Sequence, residues 1–228
     1  MSISGSFVSS GLYSSSATSV SNILQQWGNS PIASCVLGIS SIGMKSKLSY
    51  NLAHSALLLL QKEIDYEVDE EEMQNEKGII IEYGDYSPKM SKDELICVEK
   101  GFVKYHYNDK GGLRYYVINY RDFIKNFGEI GYIDLNIEVE NQKTFNSFIE
   151  KIANLEDNRW IQANYSVGFL NNFNCQTFAL EALRELKPYF NMANVYPADE
   201  DLAKKKSRKK LDFVPKEIKD EIMNYYKN

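Results

Sequence analysis

The chain has 228 residues, 43% of them hydrophobic and 25% charged, with 16 Tyr and 11 Phe. This composition fits one globular core with extra segments and excludes disorder throughout. Its 26 basic and 31 acidic residues leave a net charge of −5, so no general attraction for nucleic acid or anionic lipid is expected. The three cysteines show no CxxC spacing. They fit neither a disulfide framework nor a zinc site, and a reducing compartment fits best; no cofactor and no metal are expected.

In chain order, residues 1–21 are dominated by Ser with Gly, Ala and Thr and read as a flexible arm. The first 44 residues hold no Lys or Arg, so neither a secretory leader nor a mitochondrial presequence is expected. Ser21 and Asn22 are read as the cap of a short helix through Ile23, Leu24 and Trp27 that ends at Gly28. The apolar runs at 31–44 and 57–60 are too short for a transmembrane segment, which needs about 20 residues.

Residues 48–60 are apolar enough for a buried strand, although their pattern also allows a helix, and His54 lies within them. Residues 63–76 carry eight carboxylates and no basic residue, a self-repelling run expected to form a solvated loop. Residues 78–82, GIIIE, then read as a central strand ended by Gly84 and Pro88. Residues 102–107 and 113–118 flank Asn108-Asp109-Lys110-Gly111-Gly112, whose glycines supply hairpin turn geometry. Residues 132–139 alternate as a half-buried strand does.

Two helices follow. Asn141 is the expected cap of one carrying Phe145, Phe148, Ile149, Ile152 and Leu155, and Asn174 caps another with Phe178, Leu180, Leu183 and Leu186 before Pro188. Strands first and helices after predict an α+β fold rather than alternating βαβ units. The tail holds a basic run at 204–210, then a short helix opened by Pro215. The run reads as a solvated linker, with nuclear targeting as its functional alternative.

The search for a catalytic base is short because there are only two histidines. His106, beside a solvated turn, reads as a surface residue; His54, on an otherwise apolar strand, is either a satisfied core residue or a positioned base. Cys175 in Asn174-Cys175-Gln176-Thr177-Phe178 falls in the first turn of a capped helix. The unpaired N–H groups and the dipole there favour a thiolate and offer its own N–H to an oxyanion. The alternative is a buried structural cysteine. Glu82 ends the strand after that of His54, so pairing of the two strands would bring its carboxylate to the imidazole. Cys35 and Cys97 lack such surroundings and are read as packing residues.

The order His54, Glu82, Tyr165 and then Asn174-Cys175-Gln176-Thr177-Phe178 resembles the circularly permuted papain-like superfamily, in which the His precedes the Cys. The nearest local echoes are the PPPDE peptidases and the lecithin-retinol acyltransferase-like proteins, with permuted NlpC-type hydrolases sharing the plan. The resemblance implies a permuted papain-like fold, with an antiparallel sheet carrying the His and a helix carrying the Cys at its N-terminus. By the same resemblance Cys175 is the nucleophile, His54 the general base and later acid, and Glu82 the group that orients the ring. Oxyanion or substrate support falls to Tyr165, Asn174 and Gln176. Three departures stand out: Thr177 occupies the place of a usual His, the Tyr165 to Cys175 spacing is long, and the acidic run replaces a short turn.

The implied activity is that of a thiol hydrolase (peptidase, isopeptidase or amidase) working through a thioester on a protein, peptide or lipid acyl substrate. A thiol acyltransferase and an inactive binding module of the same fold are the alternatives. The implied organisation is an arm at 1–21, a papain-like domain at 22–190 and a basic linker with a helix at 191–228. The expected location is cytoplasmic, or nuclear through the basic run.

Overall fold

The computed structural model describes residues 18–41, 53–63, 74–84, 103–108, 111–127, 129–135, 143–153, 160, 173–186 and 190–196. Its frame is one seven-stranded sheet whose strands are β1 (Ser34–Ser41), β2 (Ala53–Leu60), β3 (Lys77–Gly84), β4 (Val103–Asn108), β5 (Gly111–Asn119), β6 (Glu129–Leu135) and β7 (Phe190–Tyr196). The spatial order is β4-β5-β3-β2-β1-β6-β7, and every neighbouring pair is antiparallel. Four helices complete the described fold: α1 (Val20–Trp27), α2 (Tyr120–Phe127), α3 (Phe145–Ala153) and α4 (Cys175–Leu186). The architecture is α+β on an antiparallel sheet.

β2 and β3 lie near the middle of the sheet, and their sequences say why. Leu57, Leu58, Leu59 and Leu60 are all buried, as are Ile79, Ile80 and Ile81. Successive strand residues point to opposite faces, so an unbroken apolar run marks a strand covered on both. α4 packs on β2 and β3, and α2 packs on β1, β2 and β5. Gly78 opposes Leu60, and a Cβ there would come within 2.6 Å of the Leu58 side chain and 2.7 Å of the Leu59 carbonyl oxygen. Only a residue without a side chain lets these two strands approach so closely.

Several boundaries differ from those expected. α1 starts two residues before Ser21 and Asn22 would allow such a cap to act: Ser19 is the N-cap, and its hydroxyl accepts from the Ser21 N–H. The helix therefore begins inside the segment read as an arm, and Val20 and Ile23 anchor it in the core. α3 is capped by Thr144 rather than Asn141; the Thr144 hydroxyl accepts from the Ser147 N–H at 3.2 Å. β2 is a strand, and its first residue is Ala53. β7 runs past residue 190 to Tyr196 and pairs with β6, so the sheet extends into the segment read as a linker.

Helix α2 and strands β1 and β7 have no counterpart in the expected elements, and α1 and α2 precede later strands. The α+β class holds nonetheless, because among the described residues no two neighbouring strands run parallel. The β4–β5 hairpin pairs Asn108 with Gly111, so Gly111 and Gly112 lie in strand β5 rather than at the turn positions expected of them. Most of the arm (1–17), the core of the acidic run (64–73), Cys97, Tyr165, the basic run and the final helix lie outside the described residues.

Candidate active site

The helix that carries Cys175 begins where local chemistry dictates. The Asn174 side-chain oxygen accepts from the Thr177 N–H at 3.0 Å, and the Thr177 hydroxyl accepts in turn from the Asn174 N–H at 3.1 Å. This reciprocal cap satisfies one orphan donor of the first turn and fixes the point at which the chain enters the helix. Thr177, which departs from the resembled motif, serves here as part of that cap. Gln176 occupies the same turn.

An aromatic cluster holds this end of α4 against β3. The ring of Phe178 lies 5.9 Å from that of Tyr83 and 5.3 Å from that of Trp160, and Trp160 also meets Tyr83 at 5.0 Å and Phe173 at 5.2 Å. The Trp160 indole N–H donates to Glu181 at 3.1 Å. Phe173 and Phe178 bracket Cys175 in sequence, and Tyr83 adjoins Glu82. Packing of these rings, each such pair contributing about 0.5–1.5 kcal/mol beyond simple burial, fixes this end of α4 beside β3.

Strand register assembles the other side of the site. Ala56 on β2 opposes Glu82 on β3, and Glu82 opposes Arg114 on β5. Opposed residues share a face, as do residues two apart in a strand, so His54, Glu82 and Arg114 project from one face. The His54 Nε2–H donates to Glu82 Oε2 at 2.6 Å, and the Arg114 Nε–H donates to Glu82 Oε1. The Cys175 thiol shares a hydrogen bond with the His54 ring. With Nε2 committed to the carboxylate, Nδ1 is the nitrogen left to exchange a proton with sulfur.

All four groups are removed from water: relative exposure is 3% for Cys175, 9% for His54, 0% for Glu82 and 2% for Arg114. Burial alone would push the Glu82 carboxyl up, but the charge of Arg114 and the bond and charge of His54 overcome it and hold it at about 2, against an ordinary 4.5. Burial likewise works against a charged imidazole. The hydrogen bond with Cys175 and the bond and charge of Glu82 prevail, raising His54 from 6.5 to about 9. The site thus favours an imidazolium held against an ionised carboxylate, with a sulfur on its other side.

Cys35 on β1 provides a contrast within the same molecule. It is fully buried, and burial pushes its thiol from 9.0 to about 12. It remains a protonated packing residue, as its sequence surroundings suggest.

Of the residues expected at the site, His54, Glu82 and Cys175 come together and Asn174 caps their helix. Gln176 follows the thiol in the first turn, and Tyr165 lies outside the described residues. His106 sits on β4 opposite Leu113. Arg114 was not anticipated. Its only sequence signal is a lone charge in the apolar strand LRYYVI, which becomes legible once the β3–β5 register sets it across from Glu82. Among the described residues, no group of three or more His, Cys, Asp or Glu is arranged to hold a metal ion. No family model, curated protein or solved structure matches this chain.

Proposed function

We propose that this protein is a cysteine-dependent hydrolase that cleaves an amide, isopeptide or ester bond through a thioester. The observation that carries this reading is the buried series from Cys175 to His54 to Glu82, in which the carboxylate holds one side of the ring and leaves the other to the thiol. A nucleophile needs an adjacent base, and the base needs a group that fixes its tautomer. Each role has an occupant.

In the first step the Cys175 thiolate attacks the carbonyl carbon, and the oxyanion that forms is met by the N–H groups at the start of α4. The carbon–nitrogen or carbon–oxygen bond then breaks, and the His54 imidazolium protonates the departing amine or alcohol. In the second step the neutral imidazole takes a proton from water, whose oxygen attacks the thioester and releases the acid and the Cys175 sulfur. The substrate class is a protein, peptide or lipid acyl group. No helix among the described residues is long and apolar enough to cross a membrane. The proposed location is the cytoplasm, or the nucleus if the basic run acts as a targeting signal.

An activated ester tests the reading. With p-nitrophenyl acetate the protein is expected to release a stoichiometric burst of nitrophenol, then turn over steadily, with the acetyl group found on the Cys175 peptide by mass spectrometry. Cys175→Ala should abolish both phases and His54→Ala should suppress them. Acetylation absent from Cys175, or release equal in the parent and Cys175→Ala, would overturn the proposal.

A further inference from the structure

Beyond the three groups of the proposed mechanism, a fourth charged residue is built into the same face. Arg114 is 2% exposed and lies on β5 directly opposite Glu82. Its Nε–H donates to Glu82 Oε1, while His54 holds Oε2. The two oxygens of one carboxylate are therefore divided between a permanent cation and the imidazole. The guanidinium also stands 5.6 Å over the ring of Tyr116, two residues along its own strand. This is a fixed orientation, as the planar, always-charged guanidinium permits and a flexible ammonium does not.

We infer that Arg114 is a positioning residue of the catalytic site, a fixed cation that balances Glu82 so that the imidazolium beside it can hold Cys175 as a thiolate. The inference rests on the hydrolase reading above and adds to it a residue that acts through Glu82. Arg114, Glu82, an imidazolium and a thiolate carry two positive and two negative charges and sum to zero. Without Arg114 the same three groups carry a net negative charge in surroundings where an unbalanced charge is costly. They can shed it most simply by protonating the sulfur, which leaves a neutral carboxylate–imidazolium pair and an unreactive thiol.

The groups that act on Glu82 are Arg114 from β5 and His54 from β2, and those that act on His54 are Glu82 from β3 and Cys175 from α4. The strong downward pull on the Glu82 carboxyl, with the Arg114 charge as its largest favourable cause, agrees with this assignment. Division of the carboxylate has a geometric consequence too. With Oε1 occupied, the carboxyl group cannot rotate away from the ring, so Nε2–H stays engaged and Nδ1 stays turned to the thiol.

The test is the pH dependence of iodoacetamide alkylation at Cys175, read by peptide mass spectrometry on the full chain. The proteins compared are the parent, Arg114→Met, Arg114→Lys, Glu82→Gln and the double variant Glu82→Gln/Arg114→Met. Arg114→Met is expected to move the Cys175 curve upward by about one pH unit, an approximately tenfold slower reaction at pH values below the parent's midpoint. Arg114→Lys should recover only part of the loss, since it restores the charge without the fixed orientation. In the Glu82→Gln background the further change to Met should no longer slow the reaction, since the negative charge that Arg114 balances is already gone.

A parent-like curve in a folded Arg114→Met, or an undiminished effect in the Glu82→Gln background, overturns the inference while the ester burst of the parent leaves the hydrolase reading standing. An ordinary thiol in the parent that is indifferent to His54→Ala sinks both. Should Arg114→Met fail to fold, the ring nitrogen resonances of the two histidines in the parent decide the matter. His54 must carry both ring protons at neutral pH, and a neutral His54 there overturns the assignment.

Discussion

Removing the Glu82 carboxylate should cost far more than the loss of one hydrogen bond, because it strands a cation. Glu82 is fully buried and the Arg114 side chain is 3% exposed, so neither can turn to water when its partner is gone. In Glu82→Ala the guanidinium keeps its charge at every accessible pH and loses the carboxylate that compensates it. A broken buried pair of this kind typically costs about 3–5 kcal/mol, a large share of the roughly 5–15 kcal/mol that holds a domain folded.

The companion change removes both charges. Glu82→Leu combined with Arg114→Met fills the same space without leaving either ion alone, and such replacements are commonly neutral or stabilising. Equilibrium urea denaturation, followed by tryptophan fluorescence, supplies the comparison for the parent, the single variants and the double. The expected pattern is a deep loss in Glu82→Ala and in Glu82→Leu, a clear loss in Arg114→Met and a double variant much closer to the parent than the sum of its own two singles, Glu82→Leu and Arg114→Met. If Glu82→Ala lost less than about 1 kcal/mol, as an exposed pair would, the buried pair would not be the constraint described here. A fully additive double variant would refute the coupling itself.

Two further perturbations probe the frame around the site. Gly78→Ala places a methyl group 2.6 Å from Leu58 and 2.7 Å from the Leu59 carbonyl oxygen, and since backbone cannot give way cheaply the thermal midpoint should fall by the equivalent of about 1–3 kcal/mol; an unchanged melt would mean that β2 and β3 are less closely apposed. The pH profile of stability should have two declining limbs. Glu82, depressed from 4.5 to about 2, contributes stability that is present above 4.5 and lost as pH falls toward 2. His54, raised from 6.5 to about 9, contributes stability that is complete below 6.5 and lost as pH rises through 9. The urea midpoint should therefore be highest between these limits, and His54→Gln should flatten the alkaline limb; an alkaline limb unchanged in that variant would show that His54 is not its source.

The contrast between Cys175 and Arg114 shows which parts of such a site a sequence can disclose. Cys175 announces itself locally: the cap, the thiol and the apolar residues at helical spacing lie within a dozen positions, and α4 spans Cys175–Leu186 in agreement with them. His54 and Glu82 are 28 residues apart; each stands in a run apolar enough to read as buried, but their meeting rests on a strand pairing that the β2–β3 register supplies. Arg114 is separated from Glu82 by 32 residues and sits in a strand whose tyrosines suggest a half-exposed face. A charge there reads as solvent-facing until the register is known. The same limit hid β1, whose run at 31–44 is apolar without a decisive period, and α2, whose buried Phe123 lies among polar and charged residues.

A one-residue slip between β3 and β5 would send Arg114 to the opposite face from Glu82. The pair therefore serves as a check on register as well as a source of charge, since any misaligned sheet must bury two uncompensated ions. The apolar residues of β3 and β5 would tolerate such a slip with modest loss, because both faces of the central strands are buried and isoleucine packs on either. Charge supplies the discrimination that hydrophobicity lacks in this part of the sheet. The ion pair that would tune the imidazole is thus also the feature that makes its strand register unique, so substitutions at either residue should be judged by folding cooperativity as well as by reactivity.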